Sequence, residues 1–125
     1  MAIFAIIFWL VLSIFPVSVA SNFSSAESKG RDTVRKNDIN SIYQKLEEHY
    51  NEYGDYPTEE ELTKDIEVQL PGLDIEAVID PNEVRINQGG DYTYAPTGCT
   101  AIGCATYTLS SVLESGEIYS KTSLN

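Results

Sequence analysis

Basic residues are scarce in this chain: 8 Lys and Arg stand against 19 Asp and Glu in 125 residues, a formal net charge of −11. A surface of that sign repels a phosphate backbone, so a nucleic-acid partner is not expected. Charge is missing altogether from the N-terminal stretch, and every charged side chain lies at Glu27 or beyond. His49 is the single histidine, and Cys99 and Cys104 are the only cysteines. A structural zinc site needs two ligands beyond that pair, which excludes a cysteine–histidine zinc centre. There is no glycine-rich phosphate loop, no Gly-x-Ser-x-Gly and no cysteine–histidine pairing that would mark a nucleophile and its base. The scattered carboxylates read as a solvated surface, so no enzyme and no cofactor are expected.

What the chain does have is a long apolar start. Ala2 to Leu12 is unbroken and carries Ile3, Ile6, Ile7 and Leu10; Ser13, Pro16 and Ser18 dilute the remainder, with Phe15 between them. As a helix, Ala2 to Ala20 would span roughly 28 Å, enough to cross a hydrocarbon core. Pro16 removes one backbone hydrogen bond and would kink such a helix, which membrane helices tolerate. The same stretch also fits a secretory signal, because Ser18-Val19-Ala20 before Ser21 has the small residues of a cleavage site. Against a signal, no Lys or Arg precedes the run. Lys29, Arg31, Arg35 and Lys36 follow it, a distribution that would hold them in the cytoplasm. The cysteine pair instead favours an oxidising compartment and one disulfide, Cys99–Cys104, with a four-residue spacer at the mouth of a hairpin.

The remaining residues, about 100, suit one modest domain. Ser21 to Ser28 is small and polar and reads as a melted stretch. Apolar residues then recur at Ile39, Ile42, Tyr43, Leu46, Tyr50 and Tyr53, a helical stripe within an amphipathic segment 31–53. Gly54 and Pro57 end it. His49 sits at the edge of the stripe, where packing is the ordinary role. Thr58 to Glu61 forms a capping box for a short helix that turns Leu62, Ile66 and Leu70 inward and closes at Pro71-Gly72. From Val84 the period changes to two. Val84-Arg85-Ile86, Asp91 to Ala95, Ala105 to Leu113 and Ile118-Tyr119 read as strands of a β-meander over 84–119. Tyr92 and Tyr94 share one face, as do Tyr107, Leu109 and Leu113. Lys121 to Asn125 reads as frayed. The expected fold is α+β: a long N-terminal helix, membrane-spanning in its first half, packed on a C-terminal antiparallel sheet through Ile39, Ile42, Leu46 and Tyr50.

Several of these stretches carry a resemblance. Arg31-Asp32-Thr33-Val34-Arg35-Lys36-Asn37-Asp38-Ile39-Asn40-Ser41-Ile42 resembles the ARDxxRKxDLNxI run of type IV pilins and type II secretion pseudopilins. Tyr50 to Thr58 is similar to their YYxxNGxYPT segment, and Asp80-Pro81-Asn82 to the Asp-Pro turn before the sheet. Tyr92-Thr93-Tyr94 and Thr106 to Gly116 resemble the sheet of pseudopilin-like subunits. The likeness covers residues 31–119. It implies a lollipop whose head spans 21–125. Residues 1–20 would be the transmembrane and filament-core helix, in which Ile3, Ile6, Ile7, Leu10 and Phe15 make the assembly contacts. The implied function is a structural subunit that self-assembles with copies or other pilin-like subunits. Its implied place is the cytoplasmic membrane first and a cell-surface filament afterwards. The residue-level alternative is a secreted binding or adhesion module released after Ala20. Some pseudopilins hold calcium in a sheet loop, and Asp80, Asn82 and Asp91, with Asp74 and Glu83 nearby, offer oxygen ligands there; a plain Asp-Pro turn is the simpler reading. The family's Gly-Phe-Thr-Leu-Ile-Glu signature is missing: no glycine precedes the apolar run and no acid lies in it. Either the true start lies upstream of Met1, or the subunit is a divergent one, or the apolar run is a fixed anchor, so the resemblance by itself does not imply cleavage by a prepilin peptidase or glutamate-registered assembly.

Overall fold

The structure, a computed structural model, describes residues 16–125, with helix side chains described from Ser24 onward. Ile3, Ile6, Ile7, Leu10 and Phe15 lie outside the described residues. Helix α1 runs from Pro16 to Tyr53 without interruption. Two very short helices follow, α2 (Glu59–Lys64) and α3 (Ile66–Gln69), then a 3-10 turn at Ile75–Val78. The chain ends in three strands, β1 (Tyr92–Thr97), β2 (Thr106–Val112) and β3 (Ile118–Thr122), which form one antiparallel sheet in the order β1-β2-β3. Tyr94 pairs with Leu109 across β1–β2, and Ser111 with Tyr119 across β2–β3.

The helix covers one face of this sheet. Ile39, Ile42 and Leu46 are fully buried and meet Tyr92, Tyr94, Tyr107 and Leu109 from the strands. Tyr50 is half-buried against the same core, its ring stacked on that of Tyr56 at 4.7 Å between centroids. The four expected packing residues are thus all at the interface. Tyr53, the last residue of the expected stripe, is 62% exposed, because the helix outruns the sheet before Gly54 ends it at φ 79°. Thr58 caps α2 as its sequence predicts, its Oγ1 accepting from the Glu61 N–H, and Leu62, Ile66 and Leu70 close the core from below.

Four sequence expectations need correction. Ser21 to Ser28 is helical and continuous with the rest of α1; its serines lower helix propensity by only tenths of a kcal/mol each, too little to melt a helix already nucleated on both sides. The acidic segment makes two helices, broken at Asp65. Val84-Arg85-Ile86 is not a strand: a lone bridge joins Ile79 to Arg85, and Asp80 folds the loop around its own carboxylate. The meander therefore spans residues 92–122, with Lys121 and Thr122 paired in β3 and Ser123 N–H donating to Tyr107 O.

Candidate assembly surface: the helix–sheet seam and the projecting helix

Along α1 the apolar stripe is bracketed by polar side chains that reach across to the sheet. Arg35 lies one turn before Ile39 on the same face and is 3% exposed. Its guanidinium holds three carboxylates, each at 3.0 Å: Asp32 on its own helix, Asp91 at the start of β1 and Glu114 in the β2–β3 turn. Arg31 also bonds Glu114, and Asp32 accepts the Glu114 backbone N–H. The bonds from Arg31, and then from Arg35, hold the Glu114 carboxyl below its ordinary range. One buried cation thus ties the helix to both ends of the sheet's upper edge.

Further down, each carboxylate of the seam takes a tyrosine hydroxyl. Tyr92 donates to Asp38 at 2.6 Å, and Tyr107 donates to Glu47 at 2.7 Å with Tyr56 beside it at 2.9 Å. Tyr119 donates to Asn40. Burial raises Asp38 above the usual carboxylate range, and its bond from Tyr92 offsets part of that. Burial, reinforced by the neighbouring carboxylate, pushes Tyr92 and Tyr107 well above an ordinary phenol. These tyrosines stay neutral and donating over the working pH range. They satisfy the polar groups that a helix carrying Asp38 and Glu47 brings to its packed side.

The expected oxygen cluster is brought together, and both carboxylate oxygens of Asp80 and the Oδ2 of Asp91 are engaged. Asp80 is 3% exposed; its Oδ1 accepts from the N–H of Asn82 and Val84, and its Oδ2 from the N–H of Asp91 at 2.8 Å. Asn82 donates through Nδ2 to Asp91 Oδ2, the oxygen that also meets Arg35. The positive charge at this corner is Arg35. Among the described residues no group of three or more His, Cys, Asp or Glu side chains is placed to hold a metal ion. Asp74 caps the 3-10 turn, accepting from Glu76 N–H. Cys99 and Cys104 form a disulfide across the mouth of the β1–β2 connection, next to a bridge between Cys104 and Tyr56. His49 is buried between the Asp55 carbonyl and the Gln69 side chain, a packing role.

The upper part of α1 stands clear of the head. Ser24 to Gly30 is exposed except for half-covered Ser28, and burial begins at Arg31. This exposed stretch leads straight towards the charge-free apolar sequence. Among the described residues no helix is long and apolar enough to cross a membrane. The clamp at Arg35, the Asp38–Tyr92 pair and the Glu47–tyrosine cluster were not among the residues singled out from sequence. The signal for Arg35 was its spacing, four residues before Ile39, which puts a cation on the buried stripe. No protein-family model, no curated protein and no solved structure matches this chain.

Proposed function

We propose that this chain is a pilin-like structural subunit of a cell-surface filament or secretion pseudopilus. Ala2 to Val19 packs with copies of itself or with related subunits, first in the cytoplasmic membrane and then in a filament core. The acidic head faces outward. The observation that carries this reading is the projecting helix: α1 runs about 57 Å at 1.5 Å per residue, and its described stretch ahead of the seam, Ser24 to Gly30, is exposed but for half-covered Ser28. A helix that needed only to complete the head would end near Arg31. The alternative, a secreted module released after Ala20, would place the cut inside α1. The continuity of the helix through Ser21 to Ser28 favours the uncut form. The seam supports assembly mechanically, since force along the helix reaches the sheet through the buried stripe and the Arg35 clamp rather than through a flexible linker.

The test is shearing of surface structures from host cells, followed by labelling with antibody against the head and N-terminal sequencing. Filaments labelled along their length, from a chain that keeps the apolar run, are expected. Label found only on soluble protein beginning at Ser21 would refute the proposal.

A further inference from the structure

The two edges of the sheet are treated differently. In β1 the backbone groups facing away from β2 belong to Tyr92, Tyr94 and Pro96, by the alternation of an antiparallel ladder in which Asp91 O accepts from Val112 N. This edge is closed. Asn87 N–H donates to Tyr92 O; the Asn87 side chain donates to Tyr94 O at 2.9 Å and accepts from Tyr94 N–H at 2.8 Å, standing in for a neighbouring strand. Pro96 has no N–H to offer. Asn87 makes this clasp from φ 61°, a left-handed conformation that asparagine tolerates.

The β3 edge has no such seal. Ser123 N–H bonds Tyr107 O, and Leu113 N–H bonds Glu117 O. The same alternation therefore turns the N–H and C=O groups of Ile118, Ser120 and Thr122 away from β2. Among the described residues nothing pairs with that side, and all three residues are exposed. Charge there is also reversed relative to the rest of the molecule. Lys121 lies over the rings of Tyr43 and Tyr119 at 5.5 and 5.9 Å, and Lys36 lies over Tyr119 at 5.7 Å. Neither lysine has a carboxylate partner among the described ion pairs, in a chain with more than twice as many acids as bases.

We infer that the β3 edge is a docking site for an extended, acidic polypeptide segment of another protein, which adds a fourth strand antiparallel or parallel to β3. Main-chain hydrogen bonds to Ile118, Ser120 and Thr122 supply the register. Carboxylates on alternate residues of the incoming strand meet Lys36 and Lys121, which the tyrosine rings hold in place. A short edge strand carrying a lysine resists pairing with a like-charged edge of a second copy, whereas the same lysine, with Lys36 beside it, attracts a strand that brings carboxylates. The inference does not rest on the filament reading, since it uses only the head.

The probe is a blocked synthetic heptapeptide of alternating valine and glutamate, titrated into the full chain in detergent micelles and followed by anisotropy and amide hydrogen exchange. Saturable binding is expected, with slowed exchange at Ile118, Ser120 and Thr122 and none at β1. Ser120→Pro removes one docking N–H at an edge position that accepts proline and should abolish the protection. Lys36→Glu with Lys121→Glu changes surface side chains only and should weaken binding about tenfold, as should replacing the peptide's glutamates with lysines. If Ser120→Pro unfolds, the double lysine variant decides. No binding, equal binding of the lysine peptide, or binding indifferent to both variants would overturn the inference. Protection of the same amides that grows with the chain's own concentration, without peptide, would overturn it in favour of a second copy.

Discussion

Arg35 is the residue whose removal should be felt most widely. Arg35→Met keeps the length and the apolar stem and deletes the charge that Asp32, Asp91 and Glu114 share. Removing one partner of a fully buried ion pair costs about 3–5 kcal/mol, because the remaining charge is stranded. Here the guanidinium is 4% exposed but the carboxylates are 22–30% exposed. Glu114 also keeps Arg31, and Asp91 keeps Asn82. Solvent screening therefore brings the expected loss down to about 2–3 kcal/mol. Its pH dependence is diagnostic. The Glu114 carboxyl is held below its ordinary range in the folded state. Its contribution is present above the unfolded value, about 4.3, and is lost as pH falls through the folded value. In Arg35→Met that contribution is weakened and the remaining acids repel, so protonation relieves the variant while it destabilises the parent. Urea denaturation of both proteins should show the gap at pH 7 and a narrowing below about pH 4. A gap under about 1 kcal/mol, or one that is the same at both pH values, would refute the clamp.

Three further outcomes follow from the same contacts. Ile42→Asp buries a charge in the centre of the helix–sheet interface, where Ile42 has no exposure, and should leave the head unfolded by near-ultraviolet dichroism; a native-like spectrum would place the stripe elsewhere. Glu47→Ala strands the hydroxyls of Tyr107 and Tyr56 and should cost about 2 kcal/mol in denaturation, with Glu47→Gln costing roughly half as much. Reduction of Cys99–Cys104 opens a short loop and should lower head stability by about 2 kcal/mol; thermal melts unchanged by reductant would contradict the bond's role.

The parts of this fold that sequence made legible are those where one physical signal dominates. Ile39, Ile42 and Leu46 recur at helical spacing, and burial follows from that spacing alone. Thr58 is three residues before Glu61 and caps the helix, and the alternation through Tyr92, Tyr94, Tyr107 and Leu109 fixes which sheet face turns inward. The misses arose where two influences compete. Val84-Arg85-Ile86 has strand composition, but Asp80 gathers three amides of that loop on its side chain and leaves no ladder to form. Tyr53 has the right spacing, but the sheet stops short of it. Lys121 and Thr122 read as part of a frayed tail; pairing with β2 supplied what composition did not. The polar seam was hidden because an Arg, Asp or Glu on a helix is ordinarily read as solvated. Only the partners, Asp91 and Glu114 for Arg35 and the tyrosines for Asp38 and Glu47, show otherwise, and they are distant in sequence.

The central claim is that the apolar sequence leading into the projecting end of α1 packs against other subunits. Ile3→Cys combined with Leu10→Cys, oxidised in the membranes and surface filaments of host cells, tests it directly. The account predicts a ladder of disulfide-linked multimers, reversible by reductant and absent from chains carrying neither substitution. Monomer alone, from chains whose introduced thiols react fully with maleimide, would contradict it.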